Sequence, residues 1–150
     1  MKTSPVKIHL RDDVKPVCLS TARRIPFPLM DKVKAELERM RNTGVIVPVT
    51  EPTEWCSAMV PVVKKNGSVR ICVDLKNLNR AVRRPHCTLP TLEEIAPRLA
   101  GSTVFSTLDA ASGFWQIPLD EASQKLTTFI TPHGRFMFQR LPFGISLATS

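Results

Sequence analysis

Apolar residues return at helical spacing early in the chain, at Leu29, Val33, Leu37 and Met40, with Lys32, Lys34, Glu36, Glu38 and Arg39 mostly on other faces. That period predicts a helix over 29–41 that buries one stripe. Asn42-Thr43-Gly44 predicts its stop, with Gly44 suited to the left-handed cap. Downstream the period shortens to two. Val45 to Val47 predicts a short strand ended by Pro48. Residues 58–63 read as a β-run that Pro61 restricts to an edge or a bulge. Asn66-Gly67 then lies between β-branched runs, a strong hairpin signal. Residues 69–73 are the return strand, with Arg70 and Cys72 on one face and Val69, Ile71 and Val73 on the other.

The connection 74–84 is polar and basic, with one helical turn expected around 75–78. Pro85 and Pro90 bracket a loop that holds His86. Thr91, with Glu94 three residues on, fits the capping box of a short helix ending near Leu99. A β-like run at 103–108 ends on Asp109. A second hairpin is expected from 126–131 and 135–139 around Pro132-His133-Gly134, with Phe136 and Phe138 sharing a face. Residues 1–27 are polar and proline-punctuated, an extended lead-in with Val17 to Leu19 as its one candidate strand.

The 43% apolar content and 150 residues suit a single domain with a real core. Thirteen prolines and no tyrosine favour many short elements. No signal-peptide h-region and no membrane-length apolar run occur, so no membrane partner is expected. A cytoplasmic or nuclear rather than secreted protein follows as the expectation. Cys18, Cys56, Cys72 and Cys87 form no C-x-x-C pair and match no zinc spacing. Reduced thiols acting as small hydrophobes are expected.

The net charge of +8 lies wholly in residues 1–100, because 101–150 hold three basic and three acidic residues. Within 64–84, Lys64, Lys65, Arg70, Lys76, Arg80, Arg83 and Arg84 face one acid, Asp74. Such a block suits a polyanion, usually nucleic acid, although a solvated lysine-rich face has the same composition.

Asp109 gives that charge a possible chemistry. It is followed by the small residues Ala110, Ala111, Ser112 and Gly113, then by bulky Phe114 and Trp115. A strand-end aspartate often only caps the next turn. Beside a basic hairpin, it also suits Mg²⁺ shared between a carboxylate and substrate phosphates. Two-metal phosphoryl transfer needs further acids, and Asp120 and Glu121 lie too far along to be obvious partners.

Three blocks carry a resemblance: WCSAMVPVVKKNGSVRICVDLKNLNRAV, LPTLEEIAPRLAGSTVFSTLDAASGFWQIPLD and TTFITPHGRFMFQRLPFGIS. In order and spacing they resemble the reverse transcriptase of gypsy-class LTR retrotransposons, and VKPVCLSTARRIPFPLMDKVKAELERM resembles the segment that precedes it. The resemblance implies an α+β fold, a partial right-hand polymerase with fingers and the first part of the palm over 28–150 after a lead-in at 1–27. It implies that Asp109 is a catalytic, metal-binding acid and that the Ala110 carbonyl touches a second metal, with two Mg²⁺ ions in the complete enzyme. Lys65, with Lys64, matches the fingers-tip lysine on the incoming triphosphate, and Arg70 the arginine that packs over the base. Ala111, Ser112 and Gly113 match the turn that seats triphosphate and sugar. Phe114 matches the residue that excludes a ribose 2′-OH. Phe143, in Leu141-Pro-Phe-Gly144, stands where retroviral relatives place glutamine.

Departures narrow the expectation. Residue 111 is Ala where the family often has Asn or Lys, and the end GISLATS drifts from the family pattern. The sequence contains no Tyr/Phe-x-Asp-Asp, so one of three catalytic carboxylates is present. The expectation is a truncated fragment of an RNA-directed DNA polymerase, inactive without the rest of its chain. Its partners would be an RNA or DNA template with primer and deoxynucleoside triphosphates. Its alternatives are a non-catalytic retroelement-derived nucleic-acid-binding relic and a basic interaction domain.

Overall fold

The computed structural model describes residues 3–84 and 88–146, so residues 1–2, 147–150 and Pro85, His86 and Cys87, where the sequence predicts a loop, lie outside the described residues. The apolar stripe forms helix α1 (Met30–Asn42), entered through a 3₁₀ turn at Phe27–Leu29. Val33, Leu37 and Met40 are buried on it. Its end follows the expected chemistry: Gly44 takes φ +74°, and the Val45 N–H donates to Met40 O at 2.9 Å. The chain reverses there into β1 (Ile46–Pro48).

β2 (Ser57–Val63) and β3 (Val69–Asp74) pair antiparallel from Ala58↔Asp74 to Val63↔Val69. Lys65, Asn66 and Gly67 make the turn. Gly67 N–H donates to Lys64 O at 2.9 Å, Lys64 N–H to Ser68 O at 2.8 Å, and Gly67 sits at φ +81°. A type I turn closed by a left-handed glycine has this pattern. Pro61 has its place by parity. Ser57 donates its N–H sideways to Thr128 O, and Pro61, four residues on, faces the same side. β2 meets its neighbour on that side only at Ser57 and Ala58, so the missing N–H breaks no ladder bond.

α2 (Lys76–Ala81) buries Leu78 and Ala81. α3 (Leu92–Leu99) has the full capping box: Glu94 N–H donates to Thr91 Oγ1, and Thr91 N–H to Glu94 Oε2 at 3.1 Å. α4 (Glu121–Leu126) is a helix the sequence pattern did not announce, since six residues give too little period. Asp120 caps it, accepting the Ser123 N–H at 2.9 Å. That hydrogen bonding from Ser123 holds the Asp120 carboxyl below its usual range. β4 (Phe129–Thr131) and β5 (Gly134–Phe138) complete the second hairpin. Residues 126–128 of the expected strand belong instead to the end of α4 and the link after it. There Thr127 Oγ1 donates to Gln124 O at 2.6 Å and accepts the Phe138 N–H at 3.0 Å.

The five strands form one sheet in the order β1-β5-β4-β2-β3. The β2–β4 pair is parallel and joins two hairpins that are far apart in sequence. Phe129, Phe136 and Phe138 pack together on its buried side, with Phe129 and Phe138 ring centroids 5.2 Å apart, in one cluster with the α1 stripe.

Two segments differ from the hydrophobic pattern. Residues 103–108 form no strand, and Val104, Phe105 and Leu108 are exposed. β-propensity alone does not make a strand, because backbone N–H and C=O groups need a neighbouring chain. None of the five strands runs beside this one. The lead-in, in contrast, is stitched into the fold. Val6 bridges Leu119, Leu10 bridges Val82 and Cys18 bridges Cys56. Ile8 is buried, and its N–H donates to Ser123 Oγ at 2.8 Å.

Candidate nucleotide and metal site

The returning arm β3 aims Arg70 outward, opposite buried Val69 and Ile71. Its guanidinium lies over the Phe143 ring, 5.1 Å from the centroid. Phe114 meets the same ring edge-on at 5.1 Å, and Trp115 at 5.6 Å. Phe143 is therefore the hub, with a cation on one contact and two aromatics on others. The loop that presents it turns at Gly144, φ +85°. It is tied to α2, because Asn79 Nδ2 donates to Gly144 O at 2.7 Å and Ser146 N–H donates to Asn79 Oδ1 at 2.8 Å. Arg70, Trp115, Phe143 and Gly144 line a cavity of about 230 Å³. The Trp115 Nε1–H at this wall is buried and has no acceptor among the described residues.

The turn before Phe114 is locally fixed. Ser112 takes the left-handed conformation at φ 48°, and a 3₁₀ turn follows at Gly113–Gln116. Gln116 Nε2 donates to Ala111 O at 2.9 Å. A Cβ placed on Gly113 would meet the Ala110 Cβ at 3.5 Å, an ordinary contact, so this glycine is not demanded by space. Ala110, Ala111, Ser112, Gly113 and Phe114 thus form one unit that reaches Arg70 through Phe143. Lys64 and Lys65 stand on the exposed tip of the β2–β3 turn. Lys32 of α1 braces that tip, its Nζ donating to Gly67 O at 2.9 Å.

Asp109 is exposed and makes no ion pair or hydrogen bond among the described residues. It is held less firmly than the turn that follows it. Asp109 and the Ala110 carbonyl suit one hard cation shared with phosphate oxygens. Among the described residues no three His, Cys, Asp or Glu side chains gather around a possible metal position. The donor set is thus incomplete for two ions.

Sequence reasoning did not single out Trp115 as a cavity wall or Lys32 as the brace of the tip. A tryptophan directly after Phe114 was a visible signal, but the Lys32 contact crosses 35 positions of sequence and left none.

A basic hairpin, an arginine shelved on an aromatic and a small-residue turn after an acid thus meet around one cavity. Residues 62–150 match the family model described as reverse transcriptase (RNA-dependent DNA polymerase). The chain belongs to the reverse transcriptase family. An uncharacterized protein of Caenorhabditis elegans is 39% identical over 130 residues, covering 85% of this chain and 10% of its own. The enzymatic polyprotein of figwort mosaic virus is 33% identical, covering 91% of this chain and 20% of its own. The retrovirus-related Pol polyprotein from transposon 412 of Drosophila melanogaster is 30% identical, covering 95% of this chain and 12% of its own. The chain therefore spans a fifth or less of these relatives.

A crystal structure of prototype foamy virus protease–reverse transcriptase superposes with a TM-score of 0.78 at 23% identity. It covers 96% of this chain and 19% of that one. A foamy viral protease–reverse transcriptase in complex with an RNA/DNA hybrid superposes at 0.74 with 21% identity, over 96% of this chain and 19% of that one. The reverse transcriptase fold, α+β with part of a right-hand polymerase, is common to them.

Proposed function

We propose that this chain is the nucleotide-gripping part of an RNA-directed DNA polymerase, the fingers and the start of the palm, and that it adds no nucleotides by itself. The observation that carries the reading is Arg70 held over Phe143 at the mouth of a cavity walled by Trp115. Arginine on an aromatic shelf is pre-oriented for a base face or a phosphate, and it stays charged at any physiological pH. Lys64 and Lys65 add mobile point charges for the triphosphate. The turn at Ala111, Ser112 and Gly113 seats triphosphate and sugar, and Phe114 stands as the sugar gate favouring deoxynucleotides.

Asp109 and the Ala110 carbonyl would hold Mg²⁺ in company with acids that the described residues do not supply. Bound Mg²⁺ would neutralise charge on the transferring phosphates. This chain's own residues grip and orient; they do not complete the donor set. An RNA or DNA template with primer is the proposed partner, together with the remainder of a polymerase chain. Among the described residues no helix is long and apolar enough to cross a membrane. Action on such templates would place the protein in the cytoplasm or nucleus.

Trp115 supplies the test, because Trp55, the other tryptophan, is buried elsewhere in the core. Titration with a deoxynucleoside triphosphate should quench Trp115 fluorescence saturably. Arg70→Ala should weaken that binding about 10- to 100-fold, the loss of one or two charge-assisted hydrogen bonds. A nucleoside without phosphates that quenches equally well would overturn the reading.

A further inference from the structure

Cys18 and Cys56 are direct partners in a parallel β-bridge. Leu19 N–H donates to Cys56 O at 3.0 Å and Cys56 N–H donates to Val17 O at 3.1 Å, which puts the two residues side by side. Bridge partners project to the same face, and adjacent strands lie about 4.7–4.9 Å apart, inside the Cα separation a disulfide requires. Cys18 is exposed and Cys56 is buried, so one sulfur is open to reagents and the other waits behind it. We propose that Cys18 and Cys56 form a reversible disulfide, a redox-set clasp that fastens the N-terminal lead-in to the start of β2.

The oxidant is a low-molecular-weight disulfide such as oxidised glutathione. The Cys18 thiolate attacks one glutathione sulfur, forming a mixed disulfide and releasing one glutathione thiolate, which takes up a proton. The Cys56 thiolate then attacks the Cys18 sulfur and releases the second glutathione. Two protein thiols are oxidised and one glutathione disulfide is reduced to two thiols, so atoms and electrons balance. Burial pushes the Cys56 thiol up to about 11, which makes the second step the slower one at neutral pH.

The clasp closes the stretch that holds α1 and β1, at the end of β2 opposite the Lys64–Lys65 tip. Closing a loop of this length raises Tm by about 10 °C. The bond is made and unmade without touching Arg70 or Phe143. Incubating the chain with oxidised glutathione, then digesting it without reductant for mass spectrometry, reads the pairing. The expected result is one linked peptide pair, Cys18 with Cys56, and a rise in Tm reversed by dithiothreitol. Cys18→Ser should abolish both, and it changes an exposed side chain that leaves folding intact. Cys72→Ser should retain both. Glutathione left on Cys18 without closure, a link to Cys72 or Cys87, or an 18–56 link with unchanged Tm would each overturn the proposal.

Discussion

Phe143 is the position where the geometry makes its most specific demand. Phe143→Leu keeps an apolar side chain of similar size but removes the ring quadrupole. It thereby loses the Arg70 contact at 5.1 Å and the two aromatic contacts at 5.1 and 5.6 Å. Each aromatic pair is worth about 0.5–1.5 kcal/mol beyond its buried area. The cation–π contact adds about 0.5–1 kcal/mol, the range for an exposed cation such as Arg70. The ranges sum to about 1.5–4 kcal/mol, and the sharing of one ring among three partners brings the expected loss to about 2–3 kcal/mol. At this chain length that lowers Tm by about 5–10 °C. A double-mutant cycle with Arg70→Met, read by urea unfolding, isolates the Arg70 share. The expected coupling is about 0.5–1 kcal/mol. A coupling below about 0.2 kcal/mol would refute the claim that the ring positions the arginine.

Two further outcomes follow from the same structure. Under reducing conditions Cys56, whose thiol ordinarily titrates near 9.0, is pushed to about 11 by burial, with the neighbouring Cys18 adding to it. A folded-state value above the unfolded one gives stability that is complete below pH 9 and lost as pH rises toward 11, on the order of 2 kcal/mol. Urea titrations should show that alkaline loss in the native chain and not in Cys56→Ala; parallel curves would mean the thiol is not buried in solution. In primer extension with Mg²⁺, the 150-residue chain should incorporate nothing, because among the described residues no further acids gather with Asp109 to complete the proposed two-metal site. Extension that disappears in Asp109→Asn would show that the chain catalyses alone.

How much of this was legible depended on the range of the interactions. α1, its Gly44 stop, the Asn66-Gly67 hairpin and the Thr91 capping box rest on contacts within a few residues, and the sequence pattern located each. Pro61 was read as restricting its strand to an edge or a bulge; β2 is instead an interior strand, and Pro61 is tolerated because its N-side faces the flank beyond the short pairing with β4. The Thr103–Leu108 run shows the limit: its composition favours a strand, but pairing depends on a neighbour that local pattern does not report. The parallel β2–β4 pair and the stitches of the lead-in at Val6 and Leu10 were invisible for the same reason, and at Cys18 the candidate strand over Val17 to Leu19 was legible but its partner Cys56 was not. α4 was missed because an aspartate cap followed by six mixed residues has no period to detect.

In the candidate site, residue types were legible and their meeting was not. Lys64, Lys65, Arg70 and the 109–114 segment stood out by charge and by motif. Nothing in their spacing showed that Phe143 joins Arg70 to Phe114 and Trp115. That junction arises from two hairpins and the Asn79 tie to the Gly144 loop, all separated widely in the chain.

The most direct test of the central claim is the affinity of the chain for a fluorescent primer–template as a function of salt. Binding through phosphates releases counterions, so log affinity should fall linearly with log salt. Lys65→Ala and Arg70→Ala should each weaken binding and lower the slope by about one. An affinity indifferent to salt, or unchanged in both variants, would contradict the account.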